Sequence, residues 1–266
     1  MFENHYSELV ANIVEQGEVR EGRNGVTRSV FCNTLVIPDL SEGYFPLLTG
    51  RKIFYKGVLG ELAAMLKGPK SVQDFEAEGC NYWGQWADED GKLELDYGNA
   101  WLDWDGFNQL EALKDKLKNS PNDRRMLVSG WRPDKLNSLS LPCCHLLYQW
   151  YVSASGKLHM IWYQRSADVM IGVPSDAVFA AAWNITLANE VGLKPGEVTM
   201  IFGDTHIYKE HWQAAKLYLS QLRAREKGSH PKYRLLSEVG KEDFTSSDLE
   251  IYDYSPSNKI TMEAKL

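Results

Sequence analysis

A chain of 266 residues, 44% of them hydrophobic, can bury one substantial core, and residues 1–266 read as a single domain. Its formal charge of -7 argues against a nucleic-acid coat or a membrane-surface protein, since both need broad positive fields, so any phosphate site must be local. The sequence has no run near the roughly 20 apolar residues that span a bilayer and no basic-then-apolar leader, and Cys32, Cys80, Cys143 and Cys144 lack zinc-type pairing. The expectation is a cytoplasmic protein with reduced thiols, no membrane partner, no nucleic acid and no metal.

Elements of both types alternate along the chain. VTRSVFCNTLVIPDL is rich in β-branched and apolar residues and predicts an early strand pair before the turn at Pro38 and Asp39. In FYKGVLGELAAMLKGP, Val58, Leu62, Met65 and Leu66 recur at helical spacing, with Gly68 and Pro69 as the stop. A second helix is predicted near DGFNQLEALKDKLKNSP, where Phe107, Leu110, Leu113 and Leu117 form an apolar stripe ending before Pro121. Strands follow in RMLVSGW, CHLLYQWYVS and KLHMIWYQR, the last two joined by a hairpin turn at Gly156 and Lys157. DAVFAAAWNITLANEVGL has the length and alanine content of a buried helix. Val198 to Phe202 is another strand, leading into GDTHIYKEHW and a further helix. With few crossover helices between long strands, the pattern is α+β with a mixed or antiparallel sheet.

Eight islands along this pattern, FPLLTGRK, GELAAML, YWGQWADE, YGNAWLDW, NDRRMLVSGW, PCCHLLYQWYV, YQRSADVMIGVP and GDTHIY, resemble thymidylate synthase in order and spacing. The resemblance runs from about Arg23 to the C-terminus. It implies a large mixed sheet flanked by helices, dimerising through the sheet. It also implies alkylation of C5 of a pyrimidine nucleoside monophosphate with 5,10-methylenetetrahydrofolate as co-substrate. C5 is a poor carbon nucleophile, and family enzymes first add a cysteine thiolate to C6.

Cys144 matches that nucleophile, although alone it reads equally as a buried cysteine at a strand start. A thiol with a free pKa of about 8.5 needs positive neighbours to ionise, and Arg165 is expected to supply them. Cys143 departs from the proline usual in the family. Glu61, beside Val58 and Met65 on its helix, borders the apolar face and suits a tuned acid/base; alone it is an ordinary helix glutamate. The resemblance gives Tyr97 and His145 a place among water and polar groups near the ring. It gives Arg23, Arg124, Arg125, Arg165 and Ser166 the phosphate, His206 and Tyr208 the sugar hydroxyl, and Trp83, Trp86 and Asp168 the folate. Adjacent arginines on a strand face opposite ways, and the family takes the pair Arg124 and Arg125 from the partner subunit, so a homodimer with shared sites is expected.

Asp176 replaces the asparagine that reads the uracil edge in these synthases. Cytosine presents an N4 donor and an N3 acceptor, which a neutral carboxyl can meet, or a carboxylate can pair with N3-protonated cytosine. The competing role is a helix cap for DAVFAAAWN. The same replacement occurs in deoxycytidylate hydroxymethylases, and the tail YDYSPSNKITMEAKL departs from the short apolar synthase ending. The expectation is therefore hydroxymethylation of CMP or dCMP. Methylation of dUMP as in thymidylate synthase, or of dCMP, is the alternative.

Overall fold

The computed structural model describes residues 2–225, 230–236 and 244–265. In chain order these form α1 (Phe2–Gln16), β1 (Glu18–Gly22), β2 (Gly25–Ile37), α2 (Tyr55–Met65), α3 (Val72–Ala77), α4 (Tyr97–Leu102) and α5 (Gln109–Asn119). Then come β3 (Leu127–Ser129), β4 (His145–Val152), β5 (Lys157–Asp168), α6 (Gly172–Glu190), β6 (Lys194–Tyr208), α7 (Trp212–Ala224), β7 (Lys232–Leu235) and β8 (Leu249–Tyr252). The main sheet is mixed, in the order β1-β2-β6-β5-β4-β3, and β7 and β8 form a separate ribbon. Its pairs are antiparallel except β5 with β6, which run parallel because α6 carries the chain back across the sheet.

One face of the sheet is covered. α6 is apolar on every side, and its buried Ala177, Ala180, Ala181, Ala182 and Ala188 let it lie against β5, β6 and α2. Trp162 and Trp150 point into this core, where Trp101 stacks on Trp183 at 4.3 Å. α1, which the sequence pattern did not reveal, closes the same face over β2 by burying Phe2, Tyr6, Leu9, Val10 and Ile13. The opposite face leaves Leu127, Tyr151 and Ile161 exposed.

Several boundaries differ from the sequence expectation. VTRSVFCNTLVIPDL is one long strand, β2, whose hairpin partner β1 lies upstream. α5 begins at Gln109, and Phe107 is exposed ahead of it in a bridge with Trp104. Arg124 and Arg125 precede β3 in a turn, so strand alternation does not govern them. Gly156, at a φ of 74°, makes the expected β4–β5 turn. β6 runs on to Tyr208, which puts His206 in a strand instead of at a helix start.

α4 sits so close to the end of α2 that a Cβ on Gly98 would stand 1.9 Å from the Met65 carbonyl oxygen. Backbone faces backbone there, and no side-chain rotation relieves the clash. Gly98→Ala is expected to destabilise the fold by about 2 kcal/mol or more, read as a lower urea midpoint; an unchanged midpoint contradicts this packing.

Candidate active site

Cys144 stands just before β4 and is half-buried. The segment carrying it is held from two sides. Arg165 of β5 takes three successive carbonyls, its backbone N–H donating to Cys144 O, its Nε to Cys143 O and its Nη2 to Pro142 O, all at 2.9 Å. From the other side, the Tyr97 hydroxyl accepts the Cys144 N–H at 2.9 Å, and Asp96 Oδ1 accepts the Cys143 N–H at 3.1 Å. Farther along, Ser140 N–H donates to Glu94 O and Ser140 Oγ accepts the Glu94 N–H, at 2.9 and 3.1 Å. The backbone around Cys144 is thereby fixed with its polar groups paired.

Arg165 also lies 5.3 Å over the Trp131 ring, and among the described residues its Nη1 donors have no hydrogen-bond partner. The expectation that it lowers the Cys144 thiol pKa meets an opposing effect. Burial raises that thiol above its ordinary value, Arg165 and the Tyr97 hydroxyl work against the rise, and Asp176 and Asp96 add to it. Burial wins because a thiolate loses more hydration than one guanidinium, engaged with carbonyls, returns.

Glu61 points from α2 toward the site, and both carboxyl oxygens are engaged: Tyr82 OH donates to Oε2 and Trp83 Nε1 to Oε1, each at 2.7 Å. Burial lifts its pKa to about 7 against these two bonds, so the group can gain or lose a proton near neutral pH. Trp83 stacks on Phe75 at 4.8 Å and meets Trp86 at 5.1 Å and Tyr97 at 5.9 Å edge-on. Trp86 remains partly exposed, a flat surface beside the site.

Asp176 is not a cap. α6 starts at Gly172 with Ile171 at its N-cap position, so Asp176 lies in the second turn with its carboxyl group buried. Gln164 Nε2 donates to its Oδ2 at 2.8 Å and to Ser166 O at 3.0 Å, while Trp162 Nε1 donates to Gln164 Oε1 at 3.2 Å and fixes the amide's orientation. Burial lifts the Asp176 carboxyl to about 8, offset by Gln164 and reinforced by Glu61 and Asp168. Gln164, Tyr82 and Asp96 were not singled out in the sequence, although the first two lie in the quoted islands; only their contacts reveal them.

The other expected residues divide. Asp168 uses Oδ1 to accept the Met170 and Ile171 N–H groups at 2.9 and 3.2 Å, which shapes the turn into α6 and leaves Oδ2 for a ligand. His206 Nδ1 pairs with Asp204 Oδ1 at 3.0 Å and meets the Tyr208 ring at 5.1 Å. The Tyr208 hydroxyl bonds Asn24 of the β1–β2 turn, next to the exposed Arg23, and its ionisation feels Asp168 and Cys144. His145 turns inward: it is buried 4.2 Å from Trp162, its Nδ1 pairs with Tyr148 OH at 2.6 Å, and burial pushes its pKa down to about 3. It is neutral and lies beside Tyr97, whose ring centroid is 4.8 Å away. Arg124 and Arg125 are exposed outside this cluster, and Arg125 pairs with Asp123. Among the described residues no group of three or more His, Cys, Asp or Glu is placed to hold a metal, and no helix is long and apolar enough to cross a membrane.

The sequence profile of the thymidylate synthase family matches residues 4–266. The chain is similar, at 38% identity over 272 aligned residues, to the thymidylate synthase of Corynebacterium aurimucosum, with 100% of this chain and 99% of that one covered.

The raised carboxyls set a pH dependence. Glu61 and Asp176 bind protons in the folded chain that the unfolded chain releases near pH 4, so their share of stability is complete at low pH and is lost as pH rises through about 7 and about 8. Glu61→Gln and Asp176→Asn are each expected to flatten the fall in unfolding free energy between about pH 5 and 8, by at most about 1.4 kcal/mol per pH unit. The same slope in both variants contradicts the burial of these groups.

Proposed function

The chain belongs to the thymidylate synthase family of folate-dependent C5 one-carbon transferases, and we propose that this member reads a cytosine edge and acts on a cytidine monophosphate, CMP or dCMP. The observation that carries this reading is Asp176: a buried carboxyl, oriented by Gln164, that holds its proton at neutral pH. Cytosine resists addition at C6 until N3 is protonated, and Asp176 brings that proton while its other oxygen accepts from the N4 amine. Uracil carries its own N3 proton and needs no such donor. The Cys144 sulfur bonds to C6 as the C5–C6 π electrons move toward C5, and C5 then takes the one-carbon unit from the folate. Loss of the C5 proton, with Glu61 the carrier whose pKa suits this traffic, expels the folate nitrogen and leaves an exocyclic methylene; a hydride or water added to that carbon then expels the thiolate and restores the ring. Arg23, Arg165 and Ser166 fit the phosphate, and His206 and Tyr208 the sugar.

The family uses 5,10-methylenetetrahydrofolate as co-substrate, which supplies the one-carbon unit and, for a methyl product, a hydride. The partly exposed Trp86 and the free Oδ2 of Asp168 suit a pterin, offering a flat surface and an acceptor for its N–H groups. The hydroxymethyl product expected from the altered tail requires water at the last step. The tail is seated as far as Lys265, with Ile260 buried, Glu263 O bonded to His211 Nε2 at 2.9 Å and Lys265 paired with Glu210 at 2.7 Å; Leu266 lies outside the described residues. A seated tail and a buried Trp83 support the methyl product instead.

Methylation of dUMP is the second reading, and the similarity to a protein named thymidylate synthase supports it. A neutral Asp176 can also meet the uracil edge, its O–H donating to O4 while its carbonyl oxygen accepts from N3–H. A homodimer through the sheet is supported by the open face, where Tyr163 lies between Leu147 and Ile201, and Ile161 between Gln149 and Thr199, with Tyr151 and Leu127 exposed beside them.

With methylenetetrahydrofolate and CMP, dCMP or dUMP supplied separately, the expected product is a cytidylate heavier by a methyl group. Turnover of dUMP alone contradicts the base reading, and a hydroxymethyl mass contradicts only the last step. Asp176→Asn should gain uridylate activity and lose cytidylate activity by about ten- to a hundredfold; an unchanged ratio removes Asp176 from base reading. Mixing inactive Cys144→Ser protein with inactive Arg124→Ala/Arg125→Ala protein should restore about one quarter of wild-type activity if the arginines cross the dimer, and no recovery contradicts the shared site.

A further inference from the structure

Cys143 occupies a position where the family usually has proline, and a proline has no N–H to donate. Here that N–H goes to Asp96 Oδ1 at 3.1 Å. Asp96 is 1% exposed, and its Oδ2 has no hydrogen-bond partner among the described residues. The Cys143 thiol, fully buried and close to Gly130, lies near the same carboxyl, which also feels Arg165. The next residue, Tyr97, accepts the next amide, that of Cys144. A buried carboxyl with one oxygen unpaired is costly to keep, so its presence beside Cys144 calls for a role.

We propose that Asp96 is a positioning residue for the nucleophile: by accepting the Cys143 N–H and facing the Cys143 thiol, it fixes the backbone of Cys144 where the family relies on a proline ring. Asp96 and Cys143 then form one unit. Either alone is a liability, since Cys143→Pro leaves the carboxyl without its donor and Asp96→Ala leaves a buried N–H unpaired. The charged or polar groups around Cys144 are Arg165, Tyr97, Asp176 and Asp96, and Asp96 contributes negative charge that disfavours the thiolate. The inference rests on Cys144 as the family's nucleophile. Alkylation of that thiol is read without turnover, so it remains informative whichever base the enzyme takes.

The test combines Asp96→Asn, Asp96→Ala, Cys143→Pro and the Asp96→Ala/Cys143→Pro double variant, with folding checked by thermal melts. Peptide-resolved mass spectrometry follows iodoacetamide alkylation of Cys144 against pH, which separates it from the exposed Cys32. Asp96→Asn, which keeps the acceptor and removes the charge, should retain its fold and lower the alkylation midpoint of Cys144 by about half a pH unit or more. Asp96→Ala should lower kcat on the order of ten- to a hundredfold with a much smaller change in nucleotide KM. In the Cys143→Pro background the Asp96→Ala step should cost nothing further. An unmoved midpoint in Asp96→Asn overturns the proposal, as do full kcat in Asp96→Ala or independent, additive losses in the double variant.

Discussion

The site depends on one constraint, the double grip on the segment from Ser140 to Cys144. Arg165 binds the carbonyls of Pro142, Cys143 and Cys144 on one side, and Glu94, Asp96 and Tyr97 bind the amides and Ser140 on the other. The grip joins the β5 strand to the start of α4. Its geometry traces to the packing of α4 on α2 at Gly98 and to the β5–α6–β6 crossover, which carries Arg165, Gln164, Asp168 and Asp176 to one end of the sheet. Deforming either support moves the sulfur relative to the groups that serve it.

Around the fixed sulfur the environment divides protons among three carboxyl groups by burial. Glu61 at about 7 and Asp176 at about 8 both hold or exchange protons near neutrality, and Asp96 is raised as well. Each is ringed by few, specific donors: Tyr82 and Trp83 for Glu61, Gln164 for Asp176, the Cys143 N–H for Asp96. Low dielectric makes these single contacts decide the protonation state. Burial raises the Cys144 thiol as well, and negative charge on Asp176 and Asp96 adds to the rise while Arg165 opposes it.

Much of this was legible in the sequence, and the limits have physical causes. Helix α2 with Glu61 on its border, the β4–β5 hairpin and the alanine-rich α6 follow from periodicity and turn chemistry. The eight islands identified the family. What sequence could not give were contacts between distant segments: Asp96 with Cys143, Gln164 with Asp176, Tyr82 with Glu61. The boundary errors are of the same kind. α6 begins four residues before Asp176 because Gly172 and Pro174 are tolerated in a first turn, and this removed the helix-cap role. His145 carries no sign in sequence that aromatic rings surround it.

Asp176 thus carries the claim that a cytosine edge is read, and trapping the covalent adduct tests it most directly. Fluorine at C5 cannot leave as the proton does, so a 5-fluorinated nucleotide with methylenetetrahydrofolate should accumulate on Cys144. Intact-mass and peptide analysis should find the 5-fluorocytidylate adduct on Cys144 in wild type, formed faster than the 5-fluorouridylate adduct. Exclusive trapping by the uridylate analogue would contradict the reading of Asp176, and an adduct on any other residue would contradict the nucleophile itself.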